Sequence, residues 1–175
     1  MSSTGTLSCK DRMKPPSSTI EGKSRLLDGL FTTPAMALVF SARGCVQRML
    51  DFEAALARAE AALGIIPRAA AELISSECRA DLFDVDALSQ DAAVAGNLAI
   101  PLVRMLKDLV GKQDCEAARW VHWGATSQDA IDTGLVLQVR AALNLLDADL
   151  ERLSAALANL AERHRHTVQL GRTWL

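Results

Sequence analysis

The stretch His122–Asp129 reads HWGATSQD and brings an imidazole, an indole, a glycine, two hydroxyls, an amide and a carboxylate into one short segment. Thr126 followed three residues later by Asp129 forms a capping-box pattern, although Asp is a shorter arm than the usual Glu or Gln. With Thr126 as N-cap, the amides of Ser127, Gln128 and Asp129 become the unsatisfied donors of a first helical turn, at the positive end of the helix dipole. Such a terminus binds anions without needing a cation. The hydroxyls of Thr126 and Ser127 suit a carboxylate at the same place, and Gly124 permits close backbone approach. His122 precedes the cap by four residues, and an imidazole there can pass a proton or hydrogen-bond to a carboxylate near neutral pH. Capping alone accounts for Thr126 and Asp129. It does not account for His122, Trp123, Gly124 and Ser127 together.

The element that must position this segment is the one it introduces. From Ser127 to about Arg163 there is no Pro and a single Gly, Gly134, while Ile131, Leu135, Val139, Ala142, Leu146, Leu150, Leu153, Leu157 and Leu160 recur at steps of three and four. That is the helical period. The pattern predicts a helix on the order of 55 Å long, beyond the usual globular length and suited to a bundle that needs partner helices. Arg163, His164 and His166 fall where positive charge complements a helix C-terminus. Beyond them, Gly171-Arg172-Thr173 offers a guanidinium suited to bidentate carboxylate binding, and the apolar Trp174-Leu175 that follows reads as an interrupted segment.

Upstream, Thr33 and Pro34 predict a short helix through Phe40. A second helix over about 42–63 carries a stripe of Val46, Met49, Leu50, Phe52, Leu56, Ala59 and Leu63, with Gly64 as its left-handed stop. Pro67 opens a helix with Ala70, Leu73 and Ile74, and Asp84 caps one that ends near Gly96-Asn97. Pro101 starts the next, with Leu102, Met105, Leu106 and Leu109 inside and Gly111 as its stop. Residues 1–24, rich in Ser, Thr, Lys and Pro, read as a disordered leader.

Composition agrees with an all-α chain. Half of the 175 residues are hydrophobic, aromatics make up only 4% and Tyr is absent, so strand-forming residues are sparse. A net charge of −2 gives no hint of a nucleic-acid surface, and no nucleic-acid partner is expected. Cys9, Cys45, Cys78 and Cys115 form no closely spaced pair and read as reduced structural thiols. The first residues lack the apolar core of a signal peptide, and no apolar run is long enough to span a membrane, so a cytoplasmic protein is expected.

Three separated segments, in order, carry a resemblance. HWGATSQDAIDTGLVLQ and HRHTVQLGRTWL resemble the fumarase/aspartase superfamily of helical lyases. LFTTPAMALVFSARGCVQRMLDFEAALARAEAALGIIP resembles the start of the first domain in its carboxymuconate-cycloisomerase branch. The resemblance implies an N-terminal helical domain (25–112) and the start of a truncated central long-helix bundle (113–175). It also implies a homotetramer whose active sites collect residues from three subunits. It assigns substrate carboxylate binding to Thr126, Ser127 and Asp129, with Gln128 between them, and to Arg172 and Thr173 of the GRT motif. Asn97, in GNLAIPLV, falls at another active-site position, and His122 matches an active-site histidine that acts as proton donor or carboxylate ligand. The implied substrate is a small polycarboxylate, and the implied chemistry needs no cofactor and no metal.

Two departures matter. Adenylosuccinate and argininosuccinate lyases usually place His after GRT, whereas Trp174 stands here, which favours the cycloisomerase branch. The loop with the superfamily's catalytic serine and the C-terminal domain have no counterpart in these 175 residues. The chain alone is therefore expected to be inactive. The alternatives are a β-eliminating lyase of the adenylosuccinate type and a non-catalytic helical assembly module.

Overall fold

Residues 28–171 are described by the computed structural model, and every regular element among them is helical. The four-residue helix α1 (Asp28–Phe31) forms part of a separate unit from the compact body that begins at Thr33. That body contains α2 (Pro34–Val39), α3 (Ala42–Ala62), α4 (Arg68–Glu77), α5 (Val85–Ala95), α6 (Ala99–Gly111) and α7 (Ser127–His164). Short 3₁₀ turns at Ala80–Leu82 and Ala117–Trp120, which the periodicity does not reveal, link α4 to α5 and α6 to α7.

Most boundaries follow from capping chemistry. The Thr33 hydroxyl accepts from the Met36 amide at 3.2 Å, and the Ser41 hydroxyl accepts from Gly44 at 3.0 Å. Asp84 accepts from the amides of Asp86 and Ala87, each at 3.0 Å. At the end of α3 the Ile65 amide reaches back to the Glu60 carbonyl at 2.8 Å, and Gly64 turns the chain with φ 71°. This is the Schellman closure that glycine favours. One start differs from expectation. α6 begins at Ala99, two residues before Pro101, because the Asn97 side-chain oxygen Oδ1 caps the Ala99 amide at 2.8 Å. Pro101 still lies in the first turn, where its missing N–H costs nothing.

α3 is the centre of the body and packs against α2, α4, α7 and the first 3₁₀ turn. Its inward face is Val46, Met49, Leu50, Glu53, Ala54, Ala57 and Glu60. The predicted stripe fails in its second half: Phe52 and Leu56 are only half-buried, while Ala59 and Leu63 face outward. Continuing from Met49 and Leu50 in steps of three and four leads to Glu53, Ala57 and Glu60, so two carboxylates occupy core positions. The surrounding core includes Ile66, Ala70, Ile74, Phe83, Leu88, Leu102, Leu106, Val110 and Val121.

α7 uses its faces differently from what the leucine pattern alone suggests. The residues it buries are Ala130, Gly134, Gln138 and Ala142, one per turn. The small residues Ala130, Gly134 and Ala142 let α7 lie close to α3, and the Gln138 side-chain amide donates to the Val39 carbonyl at 2.9 Å. Leu135, Val139, Leu146, Leu150, Leu153, Leu157 and Leu160 remain exposed. Gly134 marks the tightest approach: a Cβ there would stand 2.9 Å from Met49 Cγ and 3.3 Å from the Met49 amide nitrogen. Gly134→Val should therefore lower unfolding free energy by roughly 1–3 kcal/mol through overpacking. The exposed control Glu151→Gln should stay within about 0.5 kcal/mol of wild type, both read from urea midpoints.

Candidate functional site

The polar stretch begins as a loop after the second 3₁₀ turn and runs into the first turn of α7, with Thr126 at the junction. Trp120 and Trp123 meet edge to face, with centroids 5.0 Å apart and planes at 62°. This pairing stiffens the loop around His122. His122 has φ 60° and is the only non-glycine residue with positive φ among the described residues; Gly124 follows at φ 69°. A side-chain-bearing residue in that region needs its surroundings to hold it there.

The holding contact comes from α3. His122 Nδ1 lies 2.6 Å from Glu53 Oε1, and the Glu53 side chain is 1% exposed against 14% for the imidazole. The second oxygen of Glu53 is buried with no hydrogen-bond partner, and so is Oε2 of Glu60, two turns further along the same face. Glu60 Oε1 lies 4.0 Å from where a Cβ on Gly124 would stand, placing this carboxyl under the loop. Burial, then the neighbouring Glu53 charge, raise the Glu60 pKa above the ordinary carboxylate range, while His122 pulls it down. Neither glutamate stands out in the sequence as a functional residue. The available signal was polar: both fall on the inward steps of an otherwise apolar face.

At the start of α7 the capping box is complete. The Thr126 hydroxyl accepts from the Asp129 amide at 3.3 Å, and the Asp129 carboxylate receives the Thr126 amide and hydroxyl, each at 2.8 Å. These bonds lower the Asp129 pKa, with a smaller contribution from His122. The box thus occupies the Asp129 amide and the Thr126 hydroxyl proton. The amides of Ser127 and Gln128 and the Ser127 hydroxyl remain the donors best suited to an anion. The Gln128 side chain donates to Asp132 along the helix surface at 2.6 Å. The structure therefore brings His122, Thr126, Ser127, Gln128 and Asp129 together, with Glu53 and Glu60 beneath.

Asn97 caps α6, its side-chain oxygen accepting from the Ala99 and Ile100 amides. Arg172, Thr173 and Trp174 lie outside the described residues, as do residues 1–24. A cavity of about 640 Å³ beside α3 and α4, lined by Arg58, Arg68, Glu72 and Ser75 among others, contains none of the predicted site residues. The Cys78 thiol is pushed up to about 12, first by burial and then by the Glu53 charge, which suits an inert core thiol rather than a nucleophile. No helix among the described residues is long and apolar enough to cross a membrane.

Comparison with known proteins places this frame in context. The family model described as "Lyase" matches residues 30–175. A 3-carboxy-cis,cis-muconate cycloisomerase of Pseudomonas putida is 54% identical over 152 residues, covering 87% of this chain and 36% of that protein. The crystal structure of the 3-carboxy-cis,cis-muconate lactonizing enzyme from Pseudomonas putida superimposes with a TM-score of 0.82 at 53% identity, over 86% of this chain and 34% of that one. An N-acetyl-S-(2-succino)cysteine lyase of Dickeya dadantii is 36% identical, covering 85% of this chain and 32% of that protein. The chain spans about a third of the length of these relatives.

Two stability measurements follow from the site. Thr126→Ala should cost about 1 kcal/mol in urea unfolding, the ordinary worth of an N-cap hydroxyl. Glu60 should leave a pH signature of the opposite sign from a salt-bridged acid. Its folded pKa is raised, so the folded state binds the extra proton, and stability falls as pH rises above 4.5 through the raised folded value. In Glu60→Gln that decline should flatten, as followed by urea unfolding across the acidic range.

Proposed function

Because the chain belongs to this lyase family, we propose that it supplies the carboxylate-binding and proton-handling part of a cofactor-free cycloisomerase acting on 3-carboxy-cis,cis-muconate. The likeness to the Pseudomonas putida cycloisomerase carries this reading, since at 54% identity over 152 residues it extends well beyond the polar motif. In the reaction, one carboxylate oxygen of the substrate bonds to an alkene carbon and closes a lactone, while a proton is added to the neighbouring carbon. That proton is the one the ring-closing carboxyl had given up on ionising, so substrate and product are isomers when both are counted as free acids, and the product is 4-carboxymuconolactone. In the reverse direction this is proton abstraction next to a carboxylate followed by β-elimination. That relation links the isomerase to its lyase relatives.

Negative charge gathers on the carboxylate beside the reacting carbon as an enolate-like species. Amide donors fixed at a helix N-terminus stabilise such charge without reorganising. In this reading the Ser127 and Gln128 amides and the Ser127 hydroxyl hold a substrate carboxylate, while Thr126 and Asp129 keep the turn rigid. His122 acts as proton donor or as second carboxylate ligand. Asn97, Arg172, Thr173 and Trp174 complete the substrate-binding set proposed from the motifs.

The exposed leucine face of α7 supports a homo-oligomeric, tetrameric assembly in which partner helices cover it. The reading places the protein in the cytoplasm, in protocatechuate breakdown by the β-ketoadipate route. A chimera carrying residues 30–175 in place of the matching segment of the Pseudomonas putida cycloisomerase should consume carboxymuconate, seen as loss of its diene absorbance. Turnover of adenylosuccinate with none of carboxymuconate would assign the sister lyase chemistry instead. A folded chimera inert to both would favour a non-catalytic assembly role.

A further inference from the structure

Glu53 is an anomaly that stability does not explain. It sits in the middle of α3, flanked on the inward face by Leu50, Ala54 and Ala57, and is 2% exposed. An ionised carboxylate there loses its hydration, and its single hydrogen-bond partner leaves one oxygen unsatisfied. An apolar side chain of similar volume would fill the position at lower cost. Its partner is equally unusual, an imidazole on a left-handed backbone at the mouth of α7. The two meet at 2.6 Å although 69 residues apart in sequence.

We propose that Glu53 is a positioning residue: its buried carboxylate accepts the Nδ1 proton of His122, fixing the ring's orientation and tautomer and leaving Nε2 as the nitrogen that meets substrate. A carboxyl group is ordinarily the stronger acid of such a pair, so the shared proton resides on the ring nitrogen. A histidine held this way through one nitrogen presents a defined acceptor or donor at the other, as buried carboxylates do behind catalytic imidazoles generally. Glu60 adds a second buried carboxyl below the same loop, the His122 ring acts on the Asp129 carboxylate, and the Glu53 charge acts on the Cys78 thiol. The catalytic consequence of this arrangement rests on the function proposed above, whereas the tautomer itself does not.

The test uses nitrogen-15 resonances of the three histidines in the 175-residue chain, recorded above the pH of imidazole titration. His122 should carry its proton on Nδ1, while the exposed His166 should show the mixture typical of solvent-exposed imidazole and serve as the internal reference, His164 being set apart by its Nδ1 contact with the Thr167 hydroxyl at 3.3 Å. Glu53→Leu should shift His122 toward that mixture. His122 protonated on Nε2 in the unmodified chain would overturn the proposal, whatever the folding of the variant. In the chimera described above, Glu53→Gln should reduce kcat about 10- to 100-fold with KM changed less than about twofold, a loss of the size seen when a group orienting a histidine is removed. An unchanged kcat in that variant would overturn the catalytic role, and failure of the unsubstituted chimera to turn over would count against the substrate assignment while leaving the tautomer result intact.

Discussion

One contact, Glu53 to His122, sets the terms for the surrounding structure. A carboxylate buried on an apolar helix face is tolerable only with a partner, and a non-glycine residue at positive φ persists only where something holds it. Each supplies what the other lacks. The contact ties the loop before α7 to the middle of α3, and the packing of α7 on α3 extends that tie along the body. The N-terminus of α7, with its outward amides, thus inherits its position from the core.

The long helix divides its work between two faces. Ala130, Gly134 and Ala142 are small enough to bring the backbone close to α3, and Gln138 adds a specific bond to the end of α2. The larger apolar residues, from Leu135 to Leu160, face outward. An exposed apolar stripe of this length is the kind of surface that partner helices cover. The proposed tetramer gives it partners, and a site at the start of α7 would then lie beside the helices of other subunits.

Where structure depends on local chemistry, the sequence was readable. Thr33, Asp84, Thr126 and Gly64 announce helix ends through hydrogen bonds within a few residues, and each is found where its side chain or backbone requires. Long-range features were harder. Pro101 is a residue type that opens helices, yet Asn97, four residues earlier, provides the cap. The apolar residues of α3 run on through Ala59 and Leu63, whereas its buried face leads to Glu60. Nothing within a few residues of Glu53 or Glu60 reveals the imidazole and glycine that cover them from far along the chain. The polar half of the site lay in one visible motif; the buried half depended on tertiary packing.

The most direct test of the account is a double-mutant cycle between Glu53→Gln and His122→Asn, measured by urea unfolding of the 175-residue chain. Asn tolerates a left-handed backbone, so the second change removes the imidazole without adding strain. If the buried contact organises the loop, the two substitutions should be non-additive, with a coupling energy of about 1–3 kcal/mol. Additivity within about 0.3 kcal/mol would contradict the account, because it would mean that Glu53 and His122 occupy their places independently.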